Sequence, residues 1–216
     1  MIERLMPPTV ATAEQFGIPI DAGMFAEEQL RIAKAVDKRR REFAGVRWCA
    51  RQAMAQLGVP PVAILPGERG GPQWPAEVVG SMTHCDGYRA AALATDPNVL
   101  AIGIDAEPHG PLPDGVLRAV SLPAERDWLH RAPARCYWDR LLFSAKESTY
   151  KAWYPLTGRW LGFEDAHIVI DEGGTFTATI LVAPPRVAGR ELTGFTGRWL
   201  VSDGLVLTAV VLSAAP

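Results

Sequence analysis

Apolar residues recur at helical spacing in two long segments of the chain. The first covers residues 26–57 with room for one break, and it ends at a Gly-Val-Pro-Pro sequence. Glycine after the last apolar position, followed by proline, is a typical end signal of a helix. The second segment covers residues 133–153 and is expected to end before Pro155. Both segments are predicted to be the long helices of the fold.

Apolar runs of strand length fill much of the remaining sequence. Residues 78–84 and 88–94 flank a tight turn and predict a hairpin, and residues 100–107 predict a further strand. The other predicted pieces are a short strand at residues 62–65, a short helix at residues 115–120, and strands at residues 166–171, 176–182 and 198–212, the last folded as a hairpin. The order of helix, strands, helix, strands predicts an α+β fold with mixed or antiparallel sheets.

Composition and charge exclude several classes of protein. The 216 residues include 22 basic and 24 acidic side chains, and a net charge of −2 argues against a general binder of nucleic acid or membranes. No run approaches the ~20 apolar residues of a membrane-spanning helix, and residues 1–15 do not resemble a signal peptide. Three widely spaced cysteines match neither a disulfide framework nor a zinc pattern. We therefore expect a cytoplasmic protein.

Two arginines of the first helix lie on or beside its apolar face. With Val36 as the reference direction, a rotation of about 100° per residue places Arg39 within the apolar stripe and Arg47 at its edge. A guanidinium that faces a protein core is costly unless an anion meets it. That anion is either a carboxylate of the protein or a ligand phosphate, which a guanidinium binds through two hydrogen bonds. The pattern leaves both alternatives open.

Two acidic side chains share one face of the strand predicted at residues 100–107. Because side chains alternate along a strand, Asp105 and Glu107 point the same way, about 6–7 Å apart. The repulsion between them would be relieved by Mg²⁺, which takes carboxylate oxygens and substrate phosphate as ligands. Gly103 lets a ligand or a backbone approach closely. The alternative is a polar strand end that enters the turn at Pro108.

The second helix carries polar side chains opposite its apolar stripe. Glu147 lies there, flanked by Lys146 and Lys151, and the aromatic Phe143 and Tyr150 on the same side indicate that something covers this face. One interpretation makes Glu147 a third metal carboxylate or a base, and the lysines phosphate contacts. The other is an ordinary solvated ion pair between residues four apart.

Four blocks of sequence carry these features. They are residues 38–51 (KRRREFAGVRWCAR), 80–84 (GSMTH), 102–107 (IGIDAE) and 138–153 (WDRLLFSAKESTYKAW). Together they resemble the 4′-phosphopantetheinyl transferases of the Sfp/EntD type, in particular the actinobacterial members, whose signature is the pair GIDxE and KExxxK. The resemblance covers most of the chain and leaves the first thirty residues unconstrained.

This resemblance implies a fold of two similar α+β halves related by a pseudo-twofold axis, with a ligand cleft between them. We therefore expect an N-terminal half of residues 1–108 and a C-terminal half of residues 109–216 in one compact monomer, with the boundary region at residues 108–113.

The resemblance also implies an activity. The 4′-phosphopantetheine group of coenzyme A would be transferred to a serine of acyl or peptidyl carrier proteins, with release of 3′,5′-ADP, in the synthesis of fatty acids, polyketides or nonribosomal peptides. The implied metal is Mg²⁺, or Mn²⁺ in its place. Two alternatives are a Mg²⁺-dependent phosphohydrolase that uses the same acids and a coenzyme A-binding module without catalysis.

Acidic, helical carrier proteins would be the macromolecular partners, and neither nucleic acid nor membrane is expected. A local basic or apolar docking surface is therefore predicted. The candidates for an exposed apolar patch are Leu117, Val120 and Leu122.

Carried over residue by residue, the resemblance assigns the metal ligands and catalytic groups. Asp105, Glu107 and Glu147 would hold the metal ion against the pyrophosphate of coenzyme A. Glu147 would also be the base for the serine proton, and Lys146 and Lys151 would contact the pyrophosphate.

Further positions are implied to bind coenzyme A. The implied contacts are Arg39, Arg47 and His84 at the 3′-phosphate, and Thr83 and the backbone of Ala106 at the nucleotide. Relatives often carry a lysine where this chain has Pro66. Arg69, three residues on, is predicted to take its place.

Overall fold

The computed structural model describes residues 1–17 and 23–214 of the chain. They form two units, Met1–Val99 and Leu100–Pro216. Each unit contains one long helix and antiparallel strands, which confirms the predicted α+β class. The division between the units precedes the predicted boundary at residue 108, because the strand that starts at Val99 belongs to the sheet of the second unit.

The first unit is a three-stranded antiparallel sheet with a long helix packed on it. Its strands are β1 (Ala11–Phe16), β2 (Val79–Cys85) and β3 (Tyr88–Ala94), and β3 is central. A short helix, α1 (Ala26–Arg31), precedes the long helix α2 (Asp37–Gln56), which packs on β1 and β3. The hairpin and the helix with one break are confirmed. Strand β1 was not predicted, since its sequence lacks a regular apolar alternation.

The second unit contains a larger sheet and three helices. Its strands are β4 (Val99–Pro108), β5 (Ala166–Asp171), β6 (Thr175–Ile180), β7 (Arg186–Val187), β8 (Arg190–Glu191), β9 (Gly194–Ser202) and β10 (Leu205–Ser213). Five of them form one sheet in the order β4-β10-β9-β6-β5, while β7 and β8 pair separately. The helices are α3 (Val116–Val120), α4 (Pro123–Leu129) and α5 (Trp138–Thr157). Helix α5 packs on β10.

Short 3₁₀ helices complete the structure, at Ile2–Leu5, Glu68–Gly70 and Phe163–Asp165. In the parts of the chain that the structure describes, no helix combines the length and the apolar character needed to cross a bilayer.

Three details of the secondary structure differ from the predictions. The strand predicted at residues 62–65 is absent, and this loop contains only an isolated bridge between Pro66 and Pro72. Helix α5 starts at Trp138, whose indole N–H donates to the Pro133 carbonyl over 2.6 Å. It continues through Pro155 to Thr157, since a proline in the last turn removes only one backbone hydrogen bond.

A buried glutamate attaches the long helix of the first unit to its surroundings. Glu28 is fully buried. Its carboxylate accepts hydrogen bonds from the backbone N–H groups of Phe25 at 3.0 Å and Ile64 at 2.9 Å, and from Arg51 of α2 at 2.9 Å. One carboxylate therefore caps α1, binds α2 and fixes the loop that follows α2.

The second unit repeats this arrangement with other residues. Glu125, which is 3% exposed, accepts hydrogen bonds from the backbone N–H groups of Leu122 at 2.7 Å and Ile168 at 2.8 Å. It also pairs with Lys146 of α5 at 2.9 Å. The two long helices are thus held in the same manner, which agrees with the predicted similarity of the halves, although the pseudo-twofold axis stays a prediction.

Strand β4 lies directly against α5 because residue 103 has no side chain. A Cβ atom on Gly103 would be 1.9 Å from the Ser148 carbonyl oxygen and 2.7 Å from the Ala152 nitrogen. Such distances are far inside van der Waals contact, so only glycine permits the approach. Gly103 was expected to admit either a ligand or a backbone, and the structure shows that the backbone of α5 lies against it.

Replacement of Gly103 by alanine is expected to lower the free energy of unfolding by about 1–3 kcal/mol or more, because the added methyl group must push β4 away from rigid helix backbone. Gly110→Ala is the matched control, since a Cβ there would meet no atom within 4 Å. Denaturant unfolding measures both variants, and equal stability of the two would contradict this account of β4 packing.

Candidate functional site

Asp105 and Lys151 form the centre of the candidate site in the second unit. Asp105 lies on β4 and is 4% exposed, and its Oδ1 atom is 2.7 Å from the Nζ atom of Lys151 on α5. Lys151 also donates to the Ile104 carbonyl over 3.1 Å. The approach at Gly103 places the strand within reach of this lysine. The structure therefore brings together one acid of GIDxE and the last lysine of KExxxK.

Glu107, two residues further along β4, is paired with Arg140. Its Oε2 atom accepts a hydrogen bond from Arg140 over 2.9 Å, and the same guanidinium donates to the carbonyls of Gly110 and Pro111. Arg140 was not predicted to take part in the site. A signal was available, because Arg140 lies seven residues before Glu147, and two helical turns put both on one face.

The carboxylates of this site influence one another electrostatically. Burial raises the pKa of Glu107, and the negative charge of Asp105 raises it further, against the opposing effect of Arg140. The pKa of Glu147 is raised by the same two causes in the same order, and Lys151 opposes them. Asp105 therefore lies close enough to Glu107 and Glu147 to raise the pKa of both, and the common metal-binding role of the three acids stays a prediction.

The donor chemistry of the three acids suits a hard divalent cation such as Mg²⁺, which prefers carboxylate oxygens. Two of the acids, however, are paired with Lys151 and Arg140. Within residues 1–17 and 23–214, no three His, Cys, Asp or Glu side chains are arranged as metal ligands. A cation at the acids would thus take over charge neutralisation from these two basic groups, and the metal site stays a prediction.

Lys146 has a different environment from the one predicted. It is 3% exposed, and its ammonium group donates to the carbonyls of Phe163 at 2.6 Å and Ala166 at 2.9 Å and pairs with Glu125. Burial lowers its pKa, against the hydrogen bond and charge of Glu125. An ammonium group has three N–H donors, and all three are used inside the protein. This arrangement differs from the predicted pyrophosphate contact.

A second group of predicted residues assembles in the first unit. The Nη1 atom of Arg39 is 3.4 Å from Nε2 of His84, and Glu42 lies 3.5 Å from the same histidine nitrogen and 3.9 Å from Arg39. Arg39 and His84 thus lie next to each other, and their contact with a phosphate stays a prediction. Glu42 was not predicted to take part, although it lies one helical turn after Arg39.

Arg39 is exposed, contrary to its predicted place in the apolar stripe. The reference direction was wrong, because Val36 is the residue that precedes the first turn of α2 and is 73% exposed. The stripe is correct further along the helix, where Phe43, Ala50 and Met54 are buried.

Arg47 is the buried arginine of α2. It is 4% exposed and donates to the carbonyls of Ile64 at 2.7 Å and Phe43 at 3.3 Å, with the Glu28 carboxylate 3.8 Å away. Desolvation lowers its pKa to about 10, against the opposing charge of Glu28. These are the contacts expected of the structural salt bridge. A contact with a ligand phosphate stays a prediction.

The remaining predicted residues lie on both units. Thr83 is buried on β2 beside His84, and Ala106 is buried on β4. Arg69 is exposed in a short 3₁₀ turn and has a left-handed backbone conformation with φ of 57°, which is uncommon for a residue with a side chain.

The predicted apolar docking patch is wrong in part. Val120 is 4% exposed, and Leu117 packs against the core of the second unit. Both side chains face inward because α3 is amphipathic.

Comparisons with known proteins place the chain in a family. A profile described as the 4′-phosphopantetheinyl transferase N-terminal domain matches residues 26–94, and one described as the 4′-phosphopantetheinyl transferase superfamily matches residues 101–203. The chain is 54% identical to 4′-phosphopantetheinyl transferase Svp of Streptomyces mobaraensis, covering 99% of this chain and 90% of Svp.

Two further relatives are similar over nearly their whole length. The chain is 55% identical to 4′-phosphopantetheinyl transferase Npt of Nocardia iowensis, covering 97% of this chain and 99% of Npt. It is 51% identical to 4′-phosphopantetheinyl transferase PptT of Mycobacterium tuberculosis, covering 98% of each. The chain therefore belongs to the 4′-phosphopantetheinyl transferases, a class of transferase enzymes. The likeness includes most of the first thirty residues, which sequence analysis had left unconstrained.

The electrostatic coupling of the acids is testable in the protein alone. Asp105→Asn is expected to lower the pKa of both Glu107 and Glu147, because it removes the negative charge that raises both. Carboxyl carbon NMR titration of ¹³C-labelled glutamate measures this. Asp127→Asn, on the exposed face of α4, is the control and should leave both titrations unchanged. Unchanged titrations in Asp105→Asn would show that the acids do not share one environment.

Proposed function

We propose that this enzyme transfers the 4′-phosphopantetheine group of coenzyme A to a serine of acyl or peptidyl carrier proteins. The observation that carries the proposal is the meeting of GIDxE and KExxxK, in which Asp105 and Lys151 are 2.7 Å apart and Asp105 raises the pKa of Glu107 and Glu147. Membership of the family and the names of the relatives support it.

Several of the residues implied by the family resemblance would bind coenzyme A. Arg39 and His84 would contact its 3′-phosphate, with Arg47 supporting them from the buried side of α2. Thr83 and the backbone of Ala106 would line the nucleotide site, and Arg69 would provide the charge that relatives obtain from a lysine. Lys151, the predicted catalytic lysine, would bind the pyrophosphate.

The reaction is a phosphoryl transfer at the β-phosphorus of coenzyme A. The serine Oγ atom forms a bond to this phosphorus while the bond to the oxygen bridging the α-phosphate breaks, so that 3′,5′-ADP leaves with that oxygen. Glu147 would accept the serine proton, and its raised pKa brings it closer to the range suited to a general base.

Charge neutralisation is the main requirement of such a transfer. Mg²⁺, or Mn²⁺ in its place, would bind at Asp105, Glu107 and Glu147 and supply positive charge to the pyrophosphate. Lys151 would add charge from α5, and Arg140 would keep Glu107 oriented through their shared hydrogen bond.

The biological setting follows from the same proposal. The enzyme would act as a cytoplasmic monomer on carrier proteins of fatty-acid, polyketide or nonribosomal-peptide synthesis, with neither nucleic acid nor membrane as a partner.

Replacement of Glu147 by glutamine should lower the transfer rate at least about 10²-fold, because the proton acceptor is lost, while coenzyme A still binds. Mass spectrometry of a purified apo-carrier detects the gain of one phosphopantetheine group, and calorimetry measures coenzyme A binding. Glu77→Gln, at an exposed position of the first unit, is the control.

The same assay separates the proposed transfer from its alternatives. A phosphohydrolase would release product without any carrier, and a binding module would bind coenzyme A without changing carrier mass. Full transfer activity of Glu147→Gln would refute the role given to Glu147.

The 3′-phosphate contact has its own test. Arg39→Ala and His84→Ala are expected to raise the KM for coenzyme A about tenfold or more, because each removes a charged or hydrogen-bonded partner of the phosphate. The KM for 3′-dephospho-coenzyme A should change little. Arg4→Ala, which changes an exposed arginine elsewhere in the first unit, is the control. An equal rise in KM for coenzyme A and for 3′-dephospho-coenzyme A would show that the two residues do not contact the 3′-phosphate.

A further inference from the structure

We infer that residues 30–41, here named the basic turn, form a docking surface for the acidic carrier protein. The inference rests on the proposed function and names the partner surface for it. The basic turn joins α1 to α2 and contains the sequence LRIAKAVDKRRR.

The charge of the basic turn is opposite to that of the chain as a whole. It contains six basic residues and one acidic residue, although the whole protein has a net charge of −2. All six basic residues are exposed, and they are Arg31, Lys34, Lys38, Arg39, Arg40 and Arg41. Such a local positive field attracts an acidic partner and increases its association rate.

Two apolar side chains are exposed within this charged segment. Leu30 is 77% exposed and Val36 is 73% exposed, more than any other large apolar side chain in the described residues. Apolar contacts surrounded by charged groups are typical of protein interfaces. A nucleic-acid backbone would gain little from them, so the combination favours a protein whose surface carries carboxylates and apolar side chains.

The start of α2 is poorly suited to helix stability. Val36 occupies the N-cap and makes no side-chain capping hydrogen bond, although valine is among the least favourable residues there. Asp37 in the first turn suits the positive end of the helix dipole, but the four residues after it, 38–41, are all basic and lie close to the same end. The residues at the start of α2 are therefore not those that would best stabilise the helix, which is expected where residues serve a binding function.

The basic turn nevertheless has a defined shape. Arg40 donates through Nε to the Ala35 carbonyl over 2.9 Å and through Nη2 to the Ala33 carbonyl. One arginine therefore closes the turn and lets its neighbours face solvent. Arg39, which is assigned to the 3′-phosphate, belongs to the same segment, so a docked carrier would lie next to bound coenzyme A.

Carrier binding can be measured without transfer. A panel of fluorescently labelled apo-carrier proteins, with the acceptor serine replaced by alanine, is titrated with the enzyme and its Leu30→Ser, Lys34→Glu and Val36→Ser variants. Each variant is expected to weaken binding about tenfold, as expected for residues central to an interface. The matched controls are Leu181→Ser and Arg190→Glu, which change an exposed apolar and an exposed basic residue of the second unit.

The Val36→Ser variant separates docking from stability. Serine is a good N-cap, so the midpoint of thermal unfolding should rise by roughly 2–4 °C while carrier binding becomes weaker. A residue that only stabilised the fold would change both quantities in the same direction.

The outcomes distinguish this inference from the proposed function. Carrier binding that depends on the basic turn supports the docking surface, whether or not the parallel transfer assay gives product. Unchanged carrier affinity in all three variants overturns it, even if transfer is normal. Binding of the wild-type enzyme to anionic vesicles or DNA, with no carrier affinity, also overturns it.

Discussion

The close approach of β4 to α5 is the constraint on which the candidate site depends. A strand and a helix can lie this near to each other only where one of them has no side chain, and Gly103 provides that point. The acid two residues later, Asp105, then comes within hydrogen-bond distance of Lys151. Asp105 thereby acts both on Glu107 of its own strand and on Glu147 of α5, and its negative charge helps burial to raise the pKa of both.

The two lysines of KExxxK differ in how deeply they are buried and in which groups they contact. Lys151 is half-buried beside Asp105, with which it forms an ion pair, and part of its side chain stays accessible. Lys146 is buried with all its donors used, and Glu125 compensates its charge. Removal of either member of such a buried pair leaves an unpaired charge. Lys146 therefore holds α5 in place, and the first unit holds α2 through Glu28 in the same way.

Features that arise from residues close together in the sequence were predicted, whereas features that depend on contacts between distant segments were missed. The hairpin of β2 and β3 and the apolar face of α5 arise from local periodicity and were predicted. The GIDxE and KExxxK blocks indicated the family and its acids. Strand β1 and the exposure of Arg39 were missed, because they depend on packing and on the exact start of α2. The buried glutamates were missed as well, since Phe25 and Leu122 do not match the usual capping sequences.

By itself, the sequence determined the α+β class, the order of the main elements and the residue types available for phosphate and metal chemistry, because periodicity and spacing are properties of the chain. Only the tertiary structure decided which of the charged residues are available to a ligand. Arg47 and Lys146 resemble Arg39 and Lys151 in sequence, yet they are buried against carboxylates and carbonyls of the protein. Desolvation and the identity of the nearest acceptor distinguish such residues, and both are set by contacts between segments far apart in the sequence.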